Sequence, residues 1–317
     1  MTTAARAAAG GAEADEAPVP GVPLVTHPGR TASDGAARRR QRTPRSWWRL
    51  VVLLIGALVF LFPFYYMVVG SLQKKENTSL GGVVPQPGNL TLHNFGQINA
   101  ALDLGRSLIN SGIFTGGVVL ATVVFGVLAG YALAKLRFRG RGLLFAIMLL
   151  LLVVPFQLLI IPLYVLIVRN YGLGNSYLGM IAPFAINSVA VFIFRQFFRS
   201  LPEELFDAAR IDGAGELNLL TKIALPLVRP ALLTAVLLTF IGPWNEFLWP
   251  FLITKEQSMQ PLAVALANYI STVAGVATNP FGAILAGAFV LAVPVVALFI
   301  VFQKHFISAD IGSAVKG

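Results

Sequence analysis

"LPEELFDAARIDGAGELNLLTKIALPLVRP", residues 201–230, lies between two long apolar runs. Reconnecting two membrane-crossing helices takes only a few residues, yet this segment is long, charged and punctuated by Gly and Pro. Ser200 followed three residues on by Glu203 matches a capping box, and Pro202 falls in the first turn, where a missing N–H costs nothing. A helix is therefore predicted from about residue 201, with Leu201, Leu205, Ala208, Ala209 and Asp212 on one side and Gly213 as its left-handed stop. A second short helix is predicted from about Gly215, after which Pro226 and Pro230 re-aim the chain into the next apolar run. The small Ala208 and Ala209 permit close approach of another surface, and Asp207, Arg210 and Asp212 offer directional polar contacts.

The flanking runs explain the setting. Of the 317 residues 56% are hydrophobic and 12% charged, and that charged share is about half the soluble norm. Apolar windows occur at 50–73, 107–134, 142–168, 170–194, 230–245 and 281–302. About 20 residues cross a hydrocarbon core at about 1.5 Å per residue, so the reading is an all-α membrane protein with six transmembrane helices. Open sheet edges are excluded in lipid because their backbone groups stay unpaired.

Basic residues set the expected orientation. With both termini cytoplasmic, nineteen of the 24 Lys and Arg fall on the inside and only Lys74, Lys75, Arg106, Arg169 and Lys255 outside. The same distribution accounts for the net charge of +10 and leaves no aromatic and basic platform for nucleic acid. Residues 1–46 lack a periodic apolar face and are read as a disordered cytoplasmic tail. The run "WWRLVVLLIGALVFLFPFYYMVVG", within 47–73, is long enough to stay as an anchor rather than a cleaved signal. The segment 74–106 is an irregular external loop, 107–303 the core, and 304–317 a cytoplasmic C-terminal tail. Pro155 and Pro162 are expected to kink the third span. "PLAVALANYI", in the external stretch 254–280, suits either a partly inserted or a surface-lying helix.

Several chemistries have no residues to perform them. No phosphate-cradling G-x-x-x-x-G-K-[ST] occurs, and the three histidines, His27, His93 and His305, are scattered without a metal-binding or nucleophile motif. There are no cysteines. The chain is not expected to be an enzyme or to hold a metal or cofactor.

On physics alone, 201–213 is either an amphipathic helix lying at the interface or a rigid docking lever for a soluble protein. The stretch "DAARIDGAGELNLLTKIALPLVRP" resembles the signature loop of binding-protein-dependent ABC importer permeases, in which E-A-A is followed by D-G and then I-x-x-P. Here Asp207, Ala208, Ala209, Asp212, Gly213, Ile223 and Pro226 occupy those positions, with Asp207 in place of the usual Glu and Leu220 where an aromatic is frequent. "GYALAKLRFRGRG", "VVPFQLLIIPLYVLI", "IFRQFFRSLPEEL", "PWNEFLWP" and the terminal "SAVKG" extend the resemblance over roughly 45–317, to the maltose-type carbohydrate branch. It implies a type I ABC importer permease fold with a second permease, an ATPase dimer holding ATP and Mg, an extracytoplasmic solute-binding protein and a bacterial cell membrane. It also implies an ATPase-coupling set of Glu204, Asp207, Ala208, Ala209, Asp212, Gly213 and Pro226, and a C-terminal end reaching toward the ATPases.

For the carbohydrate path the candidates are the polar groups at membrane depth: Gln157, Asn187, Asn245 and Glu246. Trp244 and Trp249 beside them suit either stacking on a sugar face or an interfacial aromatic belt, and Glu246 suits either a hydroxyl contact or a brace within the fold. An ion-coupled secondary transporter or a membrane scaffold is the alternative class. The former should show inverted halves, which the chain lacks.

Overall fold

The computed structural model describes residues 47–77, 79–272 and 279–314, with side chains to residue 303 apart from Leu80. The expected tail, 1–46, lies outside the described residues, as do the side chains of the C-terminal segment from 304. The chain divides after Ile55. Of the first part, the described residues are the opening turns of helix α1 (Trp47–Ser71). The second part, Gly56–Gly317, holds everything considered below.

After α1 come α2 (His93–Leu102), α3 (Leu104–Lys135), α4 (Arg141–Leu151), α5 (Phe156–Tyr164) and α6 (Tyr177–Ile181). Then α7 (Ser188–Ser200), α8 (Glu203–Ile211), α9 (Glu216–Asn218), α10 (Leu225–Leu227) and α11 (Arg229–Asn245) follow. The chain closes with α12 (Leu248–Ile253), α13 (Leu262–Thr272) and α14 (Pro280–Ala314). Among the described residues there is no strand, only an isolated bridge between Gln73 and Leu90.

Three helices are long and apolar enough to span a bilayer: α1, α3 and α14. The other three expected spans are bent pairs. The third turns by 97° between α4 and the helix ending at Asn170, where Pro155 caps the second half. Pro162 sits inside α5 and is followed by a wide turn at Val165–Asn170. The fourth, read from sequence as one helix over 170–194, instead starts at Tyr177 and bends by 51° between Phe184 and Ser188. Pro183 interrupts it, and Asn187 restarts it by accepting the Ala190 N–H at 3.1 Å. The fifth bends by 79° between Leu227 and Arg229, within the Pro226 and Pro230 pair.

α3 is the spine. Asp103 opens it by accepting the Arg106 N–H at 3.1 Å, and the helix runs without a proline to Lys135. At one end it joins a core of Ile98, Leu262, Tyr269 and Ala283 from α2, α13 and α14. α13 is therefore packed inside the bundle and does not lie on its surface. Asn110 fixes this end, donating to the carbonyls of Ser258 at 2.9 Å and Gln260 at 3.0 Å while accepting the Tyr177 hydroxyl at 2.6 Å. At its other end α3 packs on α7 and α11 through Val127, Tyr131, Phe194, Phe198, Ala231 and Ala235.

The α3–α7 contact depends on glycine. A Cβ on Gly130 would stand 2.7 Å from the Phe194 Cβ and 3.0 Å from the Arg195 backbone nitrogen, so the two backbones themselves must separate to admit it. Gly130→Ala is expected to destabilise the chain by about 1–3 kcal/mol, whereas Gly116→Ala on the same helix meets nothing within 4 Å and should be neutral or stabilising by up to about 1 kcal/mol. Thermal unfolding of the two variants in detergent checks the difference.

Candidate functional site

The loop between α7 and α11 is built against α3. α8 begins at Glu203 with Pro202 as its cap residue, and the expected capping box does not form. Ser200 instead donates to the Phe197 carbonyl at 2.8 Å, and Glu203 turns to α3. Lys135, the last residue of α3, has a fully buried side chain. Its Nζ donates to Glu203 Oε1 and to the Leu201 carbonyl, both at 2.9 Å, and lies 4.3 Å from the centre of the Phe206 ring. A capping box closes a helix onto itself; this ammonium closes it onto another helix.

Phe206 is the anchor of the loop. It is completely buried and packs with Tyr131 and Phe198. The helical side inferred from sequence is thus corrected: Leu201 and Ala209 face the core around Phe206, while Leu205, Ala208 and Asp212 face outward. The outward side also carries Glu204, Asp207 and Ile211, the last 86% exposed.

α8 stops where the sequence placed its stop. Gly213 has φ +82°, its N–H donates to the Arg210 carbonyl at 3.0 Å, and the Ala214 N–H reaches back to Ala209 at 2.9 Å. This paired closure is the Schellman arrangement, for which glycine is favoured because a Cβ is strained at positive φ. Beyond it Glu216 ties the second arm to the first: one oxygen accepts from Arg210 Nε and Nη2 at 3.2 and 3.1 Å, the other accepts the Tyr131 hydroxyl at 2.7 Å. Arg210 also donates to Asp207 at 3.1 Å. The short helix expected from Gly215 is α9, which widens at Leu219–Ala224 before Pro226 in α10. α3 thus holds both arms of the loop.

The second locality is where the spans break. A cleft of about 490 Å3 opens at the ends of α4, α6 and α11 and the starts of α5 and α7. Its polar groups are Asn187, Ser188, Thr239 and Glu246, and its walls are otherwise apolar, Phe156, Phe184 and Leu238 among them. Two of the four sequence candidates meet here and two do not. Gln157 is exposed outside the lining, one residue past Phe156, and Asn245 turns away to donate to the Ile241 carbonyl at 2.9 Å.

Both polar residues that do meet have a bracing role as well. Asn187 caps α7, and Glu246 accepts the Trp249 N–H at 3.2 Å at the start of α12. The tryptophans are neither stacking faces nor a belt. Trp249 is fully buried and donates from Nε1 to the Gly179 carbonyl at 3.1 Å, while Trp244, also buried, donates to Leu291 at 2.9 Å. Their indole N–H groups need buried acceptors, which fixes the two helices bearing them against their neighbours.

The family model for the binding-protein-dependent transport system inner membrane component matches residues 122–308, more than half of the chain and all of the loop just described. The chain belongs to this family.

Relatives of this inner membrane component extend the match toward both ends of the chain. An arabinooligosaccharides transport system permease protein, AraQ, of Halalkalibacterium halodurans is 33% identical over 283 residues, covering 88% of this chain and all of that one. An sn-glycerol-3-phosphate transport system permease protein, UgpE, of Yersinia pestis is 32% identical, covering 83% and 95%. Among solved structures, a bacterial ABC transporter involved in the import of the acidic polysaccharide alginate superposes with a TM-score of 0.72 at 26% identity, over 82% of this chain and 95% of that one. The component is an all-helical, multi-pass ABC importer permease with the type I fold. Its exposed apolar side chains on α1, α4 and α5, such as Leu58, Leu144 and Ile161, accordingly face lipid or protein.

Lys135, Glu203, Phe206, Tyr131 and Glu216 were not among the sequence candidates. The one sign of them was a lysine ending a long apolar helix, and its partner lies 68 residues away in sequence.

Proposed function

We propose that this permease carries a sugar or oligosaccharide inward as one half of an ATP-driven importer. A second permease, two ATPase subunits and an external solute-binding protein complete the assembly. Both termini and the 201–230 loop face the cytoplasm, and ATP and Mg2+ are handled on the ATPases, since this chain has no phosphate-binding loop.

One observation carries the coupling role: α8 presents two unlike sides. Leu205, Ala208, Ile211 and Asp212 are exposed in register, a surface suited to a groove in a soluble partner, while Phe206 and Glu203 are fastened to α3 and α7. Closure of the ATPase dimer on the outward side then displaces α3, α7 and α11 together through a packed core that transmits force and does not yield. The two nucleotide states must grip α8 differently for this to shift the equilibrium.

The cleft at the broken spans is the proposed stretch of solute path in this chain, with Asn187, Thr239 and Glu246 as hydrogen-bonding groups among apolar walls. The sugar class is supported by the named cargo of the arabinooligosaccharide relative and by the alginate importer's fold. The test is uptake into vesicles of the reconstituted assembly with labelled arabinose oligosaccharides and sn-glycerol-3-phosphate. ATP-dependent uptake of a sugar that requires the binding protein is expected. Uptake by this chain alone along an ion gradient would replace the proposal with a secondary transporter.

A further inference from the structure

The end of the bundle that carries the 201–230 loop also holds a charge imbalance. A cleft of about 690 Å3 is lined there by the last turn of α3, the turn 136–141, the end of α7 and the loop. Its three carboxylates are paired with two cations, Glu203 with Lys135 and both Asp207 and Glu216 with Arg210, which leaves that wall with one negative charge in excess. Arg137, Arg141 and Arg199 line the same cleft, and among the described residues no carboxylate stands within ion-pair distance of them. Arg141 donates to the Leu136 carbonyl at 3.1 Å, a contact that leaves its charge uncompensated. Arg195 lies within electrostatic reach of Arg141 and Arg199, its guanidinium 3.7 Å from the centre of the Phe145 ring. Arg195 is repelled by Arg141 and Arg199, and the cleft lining sets five cationic groups against three carboxylates, a surplus of two positive charges that an anion reduces.

The position of the group selects the anion. Arg141 opens α4, and from the next turn onward the exposed side chains of α4 are apolar: Leu143, Leu144, Ile147 and Leu150, one strip at helical spacing. Phe192 and Phe197 are likewise exposed on α7 beside Arg195. The arginines therefore mark the level where the apolar belt ends, which is where lipid phosphates lie. Guanidinium forks suit phosphate oxygens in geometry as well as in charge.

We propose that the cleft of Arg137, Arg141 and Arg199 binds the phosphate of an anionic phospholipid, with the acyl chains lying along the exposed strip of α4. Glu203, Asp207 and Glu216 form the opposite wall, so the headgroup sits beside the coupling loop and stiffens it. The proposal rests on membership of the permease family and not on the identity of the solute.

The assembled transporter, reconstituted in phosphatidylcholine with phosphatidylglycerol and then extracted, is examined by native mass spectrometry for retained lipid. Retention of phosphatidylglycerol over phosphatidylcholine is expected. It should fall about thirtyfold in the Arg137→Gln/Arg199→Gln double variant, at about fivefold per basic group near the surface, and fall less in Arg137→Lys/Arg199→Lys, which keeps the charge and loses the fork. Equal retention by wild type and the Gln variant overturns the lipid site. Displacement of the lipid by millimolar inorganic phosphate overturns it in favour of a free-phosphate site. Loss of the ATPase subunits from the Gln variant, with lipid retention unchanged, overturns it in favour of an acidic surface on the ATPase.

Discussion

Gly213→Pro is expected to abolish ATP-driven uptake by the assembled importer while leaving this chain inserted and paired with its companion permease. Gly213 stands at φ +82°, and proline is fixed near −65°. The substitution also deletes the N–H that donates to the Arg210 carbonyl and misplaces Ala214, whose N–H closes onto Ala209. Both hydrogen bonds of this closure are lost, at about 1 kcal/mol each. The larger effect is directional. Arg210 and Glu216 flank the turn, so a redirected chain parts the ion pair that joins the two arms and releases Glu216 from Tyr131. Nothing lies within 4 Å of a Cβ at 213, so the substitution acts through proline's fixed φ, its missing N–H and the clash of its ring with Asp212, which stands at ψ 4°. Gly213→Asn, which tolerates positive φ, should therefore keep most of the uptake. Uptake assays on both variants, with membrane insertion followed in parallel, separate the backbone effect from a side-chain effect; undiminished uptake by the proline variant would remove the coupling role of the loop.

Lys135→Met is expected to uncouple the assembly: ATP hydrolysis continues, and solute moved per ATP falls severalfold. The side chain is buried and bonded at 2.9 Å to two groups of the loop, Glu203 Oε1 and the Leu201 carbonyl, while its ammonium lies over Phe206. Methionine fills nearly the same volume, so packing survives. What is lost is a charge-assisted tie of about 2 kcal/mol between α3 and the start of α8. Breaking that tie lets α8 tilt around Phe206 without dragging α3. Glu203 is largely exposed and regains water, so no buried charge is stranded. The measurement is paired, ATPase rate and uptake on the same vesicles, with amide exchange over 201–216 as the local readout. Parallel loss of both rates would mean that Lys135 only supports the fold, and wild-type values of both would show that this tie takes no part in the stroke.

The elements legible in the sequence were those with a local cause. Gly213 announced its turn because only the achiral residue accepts that backbone without strain, and Pro155, Pro226 and Pro230 announced bends because a missing N–H and a fixed φ act wherever they stand. The fourth span read as continuous because its hydrophobic run masked Pro183, which interrupts the helix, and Asn187, which restarts it by a short-range hydrogen bond. Ser200 and Glu203 showed the opposite failure. Their spacing satisfied a local rule, but a buried ammonium outcompeted the backbone N–H for the carboxylate because a charged donor in a dry site is the stronger partner. Membrane depth gathered Gln157, Asn187, Asn245 and Glu246 into one class, although depth says nothing about azimuth around a helix, and only Asn187 and Glu246 turn to the cleft.

The sequence by itself determined that the chain is helical and membrane-embedded, where most of its spans lie, though the fourth begins seven residues later than its apolar window, and that a polar loop of unusual length joins the fourth and fifth. Hydrophobic run length, proline and glycine stereochemistry and charge placement act on neighbouring residues and need no knowledge of the fold. Only the tertiary structure decided which helix receives that loop, which polar groups share a cleft and which tryptophans are buried. Those depend on contacts such as Tyr131 with Glu216, Lys135 with Glu203 and Trp249 with Gly179, whose partners are 85, 68 and 70 residues apart and are brought together only by close packing of the helices.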